Sequence, residues 1–243
     1  MIETKKARVN VVDLKARLAK IKAMRLPSGN SSKIYGEDNT FIFSKGYNCF
    51  EKNIIRGTNH FIFFPEADAG NVVFEVYGDN NKIIIQKGAK LLNTRFVIKG
   101  SDNFIEIKEN CRFTSCYIVN YSGGNKIIID SGTTIEEAAL ALGENNLLSI
   151  GKDCMLSSAI DIRCGDGHKM LDLSTREQIN KSKDIIIKDH VWICRAVRIL
   201  KGVTIGKNSV IGVGSICTKS IPENCMAAGI PATVKRKNVT WQR

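Results

Sequence analysis

Short bursts of alternating apolar and polar residues dominate the middle of the chain, each opened by an asparagine. They read Asn81-Lys82-Ile83-Ile84-Ile85, Asn103-Phe104-Ile105-Glu106-Ile107, Asn125-Lys126-Ile127-Ile128-Ile129 and Asn146-Leu147-Leu148-Ser149-Ile150, the asparagines standing 22, 22 and 21 residues apart. Alternation predicts strands, and a fixed spacing predicts a stack of similar units. A finer step of six runs inside each unit: Ile85, Leu91, Val97; Ile107, Phe113, Val119; Ile129, Ile135, Ala141; Ile150, Leu156, Ile162. The step breaks from Arg163 to Ile186, then resumes at Ile187, Ile193, Ile199, Ile205, Ile211 and Cys217. Four residues after the first five of these stand Val191, Val197, Val203, Ser209 and Ser215, each small or β-branched.

One apolar and one compact residue in every six fit a short strand and a corner, wound into a triangular coil. The apolar side chain points inward, the compact one fills the narrow corner, and successive turns stack in parallel about 4.8 Å apart. The longer units need only a larger loop at one corner, with Gly/Asn turn chemistry. The expected organisation is an N-terminal helix and cap (1–30), a β-helix over 31–234 interrupted by a loop at 163–186, and a basic tail at 235–243. Val11, Leu14, Leu18 and Ile21 carry the helix within 9–26, ended by Pro27-Ser28-Gly29-Asn30.

Composition sharpens this reading. The chain has 243 residues, 43% of them hydrophobic but only 7% aromatic, so Ile, Val and Leu must build the core. A net charge of +12 points to an anionic partner. The basic residues are dispersed and accompany no aromatic-basic recognition motif, which argues against nucleic acid. No run is long enough to span a membrane and the N-terminus has no apolar signal segment, so the expected location is the cytoplasm. Eight cysteines without a CxxC pair suggest reduced thiols rather than zinc or a disulfide framework.

The segment from Asp161 to Lys237 resembles the hexapeptide-repeat acyltransferases, in particular the sugar and capsular polysaccharide (sialic acid) O-acetyltransferase branch. The resemblance rests on Asp161-Ile162-Arg163, Asp166-Gly167-His168, Asp172, Val191-Trp192-Ile193, Lys201-Gly202-Val203-Thr204-Ile205-Gly206, Ser209-Val210-Ile211-Gly212, Thr218-Lys219, Ile221-Pro222-Glu223-Asn224 and Ala228-Gly229-Ile230-Pro231-Ala232. It covers about a third of the chain strongly; residues 36–160 share only the architecture. Cys194 replaces a usual glycine and Ile230 a usual asparagine. The resemblance implies an all-β, left-handed parallel β-helix, acetyl-CoA as cosubstrate, and a homotrimer with sites between subunits.

Among three histidines, His60 reads as a turn residue and His190 as a solvated surface residue, while His168 lies in the interruption, flanked by Gly165, Asp166 and Gly167. A hydroxyl attacking a thioester needs a base, and imidazole titrates in the right range; His168 is the candidate. Asp166 or Asp172 could orient its ring, as could a backbone carbonyl. The resemblance adds Trp192 to the site, against a coil-surface aromatic packed under the loop. For coenzyme A it points to Gly212, Gly214 and Ser215 along the pantetheine arm, Lys219 and Lys235 at the phosphates, and Gly229, Pro231 and Ala232 at the adenine end. No metal is expected, since a zinc site resembling that of the gamma carbonic anhydrases needs three converging histidines. The expected activity is O-acetylation of an anionic saccharide, with N-acetylation of an aminosugar nucleotide or a non-catalytic binding module as alternatives.

Overall fold

The computed structural model describes residues 33–43, 53–64 and 67–243. Within them the chain is all strand and turn, wound into a three-faced parallel coil. The first face is a sheet of eight parallel strands, from Thr40–Phe43 through Lys82–Ile85, Phe104–Ile107 and Leu147–Ile150 to Ile185–Ile187 and Thr204–Ile205. The second includes Lys90–Leu92, Met155–Leu156, Trp192–Ile193 and Val210–Ile211; the third includes Ile54–Arg56, Val73–Tyr77, Thr94–Lys99, Ile160–Arg163 and Arg198–Leu200. In two coils the strands Arg112–Asn120 and Thr134–Leu142 run unbroken round the corner between second and third faces, so those faces form one continuous sheet.

The later hexads behave as their period demands. Ile187, Ile193, Ile199, Ile205, Ile211 and Cys217 are buried, as are the compact corner residues Val191, Val197, Val203, Ser209 and Ser215. The third step of the earlier units needs correction. Leu140 rather than Ala141 lies in register with inward Ile162, and Ile118 and Phe96 stack below it, so Val97, Val119 and Ala141 point away from the core axis. Where the strand is unbroken it turns that corner with one residue fewer than later coils, which spend Ala159, Ala196 and Gly214 there in the left-handed region; the coil of Val97 makes the same shorter step from Leu91 to Phe96 through Asn93, at a φ of 42°, between two separate strands.

The asparagines that open each burst form a buried polar column. Asn81 Oδ1 accepts the backbone N–H of Asn103, Asn103 Oδ1 that of Asn125, and Asn125 Oδ1 that of Asn146, at 3.1, 3.1 and 2.9 Å. His60 belongs to this column, which corrects its reading as a simple turn residue: it is buried, and its Nδ1 accepts the N–H of Asn81 at 3.3 Å. Burial holds its imidazole below the ordinary value of 6.5.

The loop occupies 164–184, because Ile185 and Ile186 already belong to a first-face strand. Strand Ala232–Lys237 crosses the boundary expected at 234 and pairs antiparallel with Cys225–Gly229. The helix expected within 9–26 lies outside the described residues. Among the described residues no helix is long and apolar enough to cross a membrane.

Candidate active site

The long loop leaves and rejoins the corner between the third and first faces. Its base is tied down where Cys164 N–H donates to Ala141 O and Lys183 N–H to Cys164 O, both at 2.9 Å. Asn180, buried beneath it, is fully employed: its amide donates to His168 O at 2.7 Å and Asp166 Oδ2 at 2.9 Å, and its Oδ1 accepts Met170 N–H at 2.7 Å. Lys201, from the next coil, pairs with Asp166 and donates to Asn180 O at 3.1 Å. His168 is thus fixed through its backbone while its imidazole stays exposed, bonded to no described residue.

Asp166 is not joined to that imidazole. The Lys201 hydrogen bond, helped by Asn180, holds its carboxyl below the usual range, so it anchors the loop rather than orienting the ring. Asp172 is likewise a turn residue: its Oδ1 accepts from the Ser174 hydroxyl at 2.6 Å and from the Ser174 and Thr175 backbone at 2.9 Å, holding its carboxyl down at about 2.

Trp192 opens a second-face strand beyond the corner between first and second faces, so the first face separates it from the base of the His168 loop. Within one chain the structure does not bring His168 and Trp192 together. The ring beside Trp192 is Trp241, 6.1 Å away between centroids and tilted by 48°. Trp241 also stacks on His190 at 4.3 Å, and its Nε1 donates to His190 O at 2.9 Å. His190 is therefore no solvated side chain. It takes a left-handed turn position held elsewhere by Gly, Asn or Asp, its ring nitrogens facing Asp153 Oδ2 at 2.9 Å and Trp241 O at 3.0 Å. Arg243 ties the chain end down with bonds to Asp153 Oδ1 at 2.9 Å and Cys154 O at 3.0 Å. Burial pushes the Asp153 carboxyl up, but the His190 and Arg243 bonds outweigh it and leave it below its usual range.

The residues expected to hold coenzyme A partly converge. Ser215 is buried; its hydroxyl donates to Gly212 O at 2.6 Å and accepts Gly229 N–H at 3.1 Å, so it braces the corner rather than facing a ligand. Gly229 pairs with Ala232 across the turn containing Pro231. A Cβ on Gly214 would meet nothing within 4 Å, and exposed Val213 and Ile230 flank this surface. Small residues with open space beside them suit a thin pantetheine arm. Lys219 and Lys235 are both exposed, but Lys219 lies past the far end of the third-face strand Ile216–Cys217 while Lys235 lies on the antiparallel edge strand.

No family model matches the chain. A polysialic acid O-acetyltransferase of Escherichia coli O1:K1 / APEC is 37% identical over 140 residues, which is 58% of this chain and 45% of that one. The Neisseria meningitidis polysialic acid O-acetyltransferase is 35% identical over 148 residues, 60% of this chain and 68% of that one. The crystal structure of the polySia specific acetyltransferase NeuO superposes with a TM-score of 0.71 at 31% identity, covering 88% of this chain and 89% of that chain. The chain belongs to the hexapeptide-repeat acetyltransferases.

As a member of that family it is a left-handed β-helix, and the matched stretch spans less than half the length of its E. coli relative. In this family member the seven described cysteines are free and six are buried, with Cys111, Cys116, Cys154 and Cys164 pushed up to about 12 by burial. Among the described residues no cluster of three His, Cys, Asp or Glu could hold a metal. Lys201 and Asn180, which position the His168 loop, were not singled out by sequence. Lys201 sits inside a recognised repeat but 35 residues from its partner, and Trp241 is 51 from His190. Nothing local signals either pairing.

Proposed function

We propose that this chain is an acetyl-CoA dependent O-acetyltransferase acting on an anionic saccharide. The observation that carries the reading is His168: an exposed imidazole on a loop whose backbone is fixed by the buried Asn180 and the Lys201–Asp166 pair, in a chain of this family. Acetyl-CoA would supply the activated thioester. His168 takes the proton from a sugar hydroxyl as that oxygen bonds to the acyl carbon, and returns it to the departing thiolate, so transfer is direct within a ternary complex. A backbone N–H supplies oxyanion stabilisation. Gly212, Gly214, Gly229 and Ala232 offer the close backbone approach that the cosubstrate needs, while Lys219 and Lys235 are the cations for its phosphates.

Separation of His168 from Trp192 within one chain supports a site completed by a neighbouring copy, whose Trp192 would meet this chain's loop in a homotrimer. Exposed Met170, Leu173 and Ile179 on the loop give such a neighbour an apolar surface. The anionic acceptor is supported by the +12 charge, by exposed Lys169, Arg176, Lys181 and Lys183 on the loop, and by relatives named for polysialic acid. Free, buried thiols suit a reducing cytoplasm.

The test is thiol release from acetyl-CoA with polysialic acid, a neutral oligosaccharide and an aminosugar nucleotide as competing acceptors. Preferred turnover with polysialic acid, and a KM for it that rises with salt, is expected. Preference for the aminosugar nucleotide would overturn the reading.

A further inference from the structure

At the third-face edge of successive coils, the last outward residue alternates between an aromatic ring and a cation. Tyr35 pairs in register with Arg56, Arg56 with Tyr77, and Tyr77 with Lys99. Continuing the Ile98–Asn120 register by one residue sets Tyr121 beside Lys99. Arg56 lies over the Tyr35 ring at 5.2 Å and Lys99 over the Tyr121 ring at 5.7 Å. Tyr35 and Tyr121 are 50% and 61% exposed, so the core does not account for them. Arg95 and Tyr117 stand side by side at the other end of the same strands, beyond the outward column of Glu75, Val97 and Val119, which brings four of the chain's five tyrosines to this face.

The column is held at the corner by glycine. Gly36, Gly57, Gly78 and Gly100 follow the first four rungs, all with φ between 95° and 126°, and a Cβ on any of them would overlap the backbone of the next coil. Each rung is therefore the last residue before a sharp turn, at the same height on every coil. Of the carboxylates near these rungs, Glu75 pairs with Arg95, Asp79 accepts the Thr58 N–H and hydroxyl, and Asp102 accepts the Asn80 amide, while Glu37 and Asp38 stand exposed just beyond Tyr35, at the end farthest from the loop. From Tyr121 the same edge continues to Gly143 and Gly165, whose backbones stack closely, and His168 stands three residues beyond.

We propose that this ladder binds an extended anionic glycan and leads it toward the His168 loop. The inference rests on the acceptor being an anionic saccharide. Sugar rings stack on tyrosine faces, and ring carboxylates meet Arg56 and Lys99 between them. Five rungs at the parallel strand spacing span about 19 Å, the reach of several sugar residues. Single-stranded nucleic acid also stacks on aromatics, but continuity with the loop of a saccharide acetyltransferase family favours the glycan.

The test is calorimetry on the full chain at low salt without acetyl-CoA, using long polysialic acid, a sialic acid disaccharide and a single-stranded oligonucleotide. The double variant R56A/K99A should bind long polysialic acid on the order of tenfold more weakly, with disaccharide binding and assembly size unchanged. R56K/K99R should retain binding, and Y35A/Y121A should lose a similar factor that salt does not restore. Unchanged binding in both Ala variants, equal loss for the disaccharide, a broken assembly, or an oligonucleotide that binds as tightly as polysialic acid would each overturn the proposal. Binding is read apart from transfer, so failure here counts against the track alone. Absence of acetyl transfer by the unaltered chain counts against the catalytic reading alone.

Discussion

The coils before the loop and those after it solve one packing problem in different ways. Before it, a coil takes 21 or 22 residues and carries a buried asparagine column, and two of these coils turn one corner with unbroken strands. After it, a coil takes 18 residues, as the Ile187–Ile205 and Ile193–Ile211 registers require, and each corner spends a left-handed residue such as Ala196 or Gly214. The longer coils have spare length at the corner between third and first faces. They spend it on a glycine turn and on side-chain ladders such as Asn59 to Asn80 to Asp102. The shorter coils have none to spare, and the extra length gathers in one loop at that same corner. Structure is thus repeated along one half and the irregular length is gathered into one loop at its end, the arrangement in which rigid scaffolds commonly present functional groups.

The contrast can be broken most severely at a glycine. Gly57→Ala would force a Cβ into the carbonyl of Gly78 at a φ of 126°, so a loss of about 4 kcal/mol or outright misfolding is expected in denaturant melts. Gly214→Ala, with open space around it and a φ of 69°, should cost only about 1 kcal/mol. Similar losses at both sites would mean that the early corners are no more constrained than the later ones.

A smaller effect is expected in the asparagine column. Asn103→Ala removes the acceptor of the Asn125 N–H and leaves that buried donor unsatisfied, costing about 1–3 kcal/mol. A loss below a few tenths would show the column to be incidental.

The smallest effect is a pH slope. His60 is held below 6.5 by burial, so just below that pH the unfolded chain binds more protons than the folded one. Stability therefore rises with pH across the window between the folded value and 6.5, is fully present above it, and is lost as pH falls. His60→Asn should keep the acceptor and flatten this contribution; an unchanged difference between melts at pH 5 and pH 7.5 would contradict it.

How much of this could be read from sequence follows the range of each interaction. The six-residue step recurs within a few positions, so the coil, its inward isoleucines and the interruption holding His168 were all legible. Misplacement of Val97, Val119 and Ala141 came from extending that step through a corner that these coils turn with one residue fewer, by an unbroken strand at Val119 and Ala141 and through Asn93 at Val97. The Asp166–Lys201 pair and the return of Trp241 onto His190 join positions 35 and 51 apart with no shared pattern, and they changed the reading of Asp166 and His190. The Tyr35, Arg56, Tyr77, Lys99, Tyr121 column is periodic too, yet its rungs differ in chemistry, and only the register shows that they share an edge.

The central claim is that the loop ending the long-coil half carries the base. The direct measurement compares His168→Ala with the unaltered chain in acetyl transfer from acetyl-CoA to polysialic acid, with melting temperature recorded alongside. Loss of turnover by a factor of about 10² to 10⁴ at unchanged melting temperature is predicted. Turnover equal to that of the unaltered chain would contradict the account.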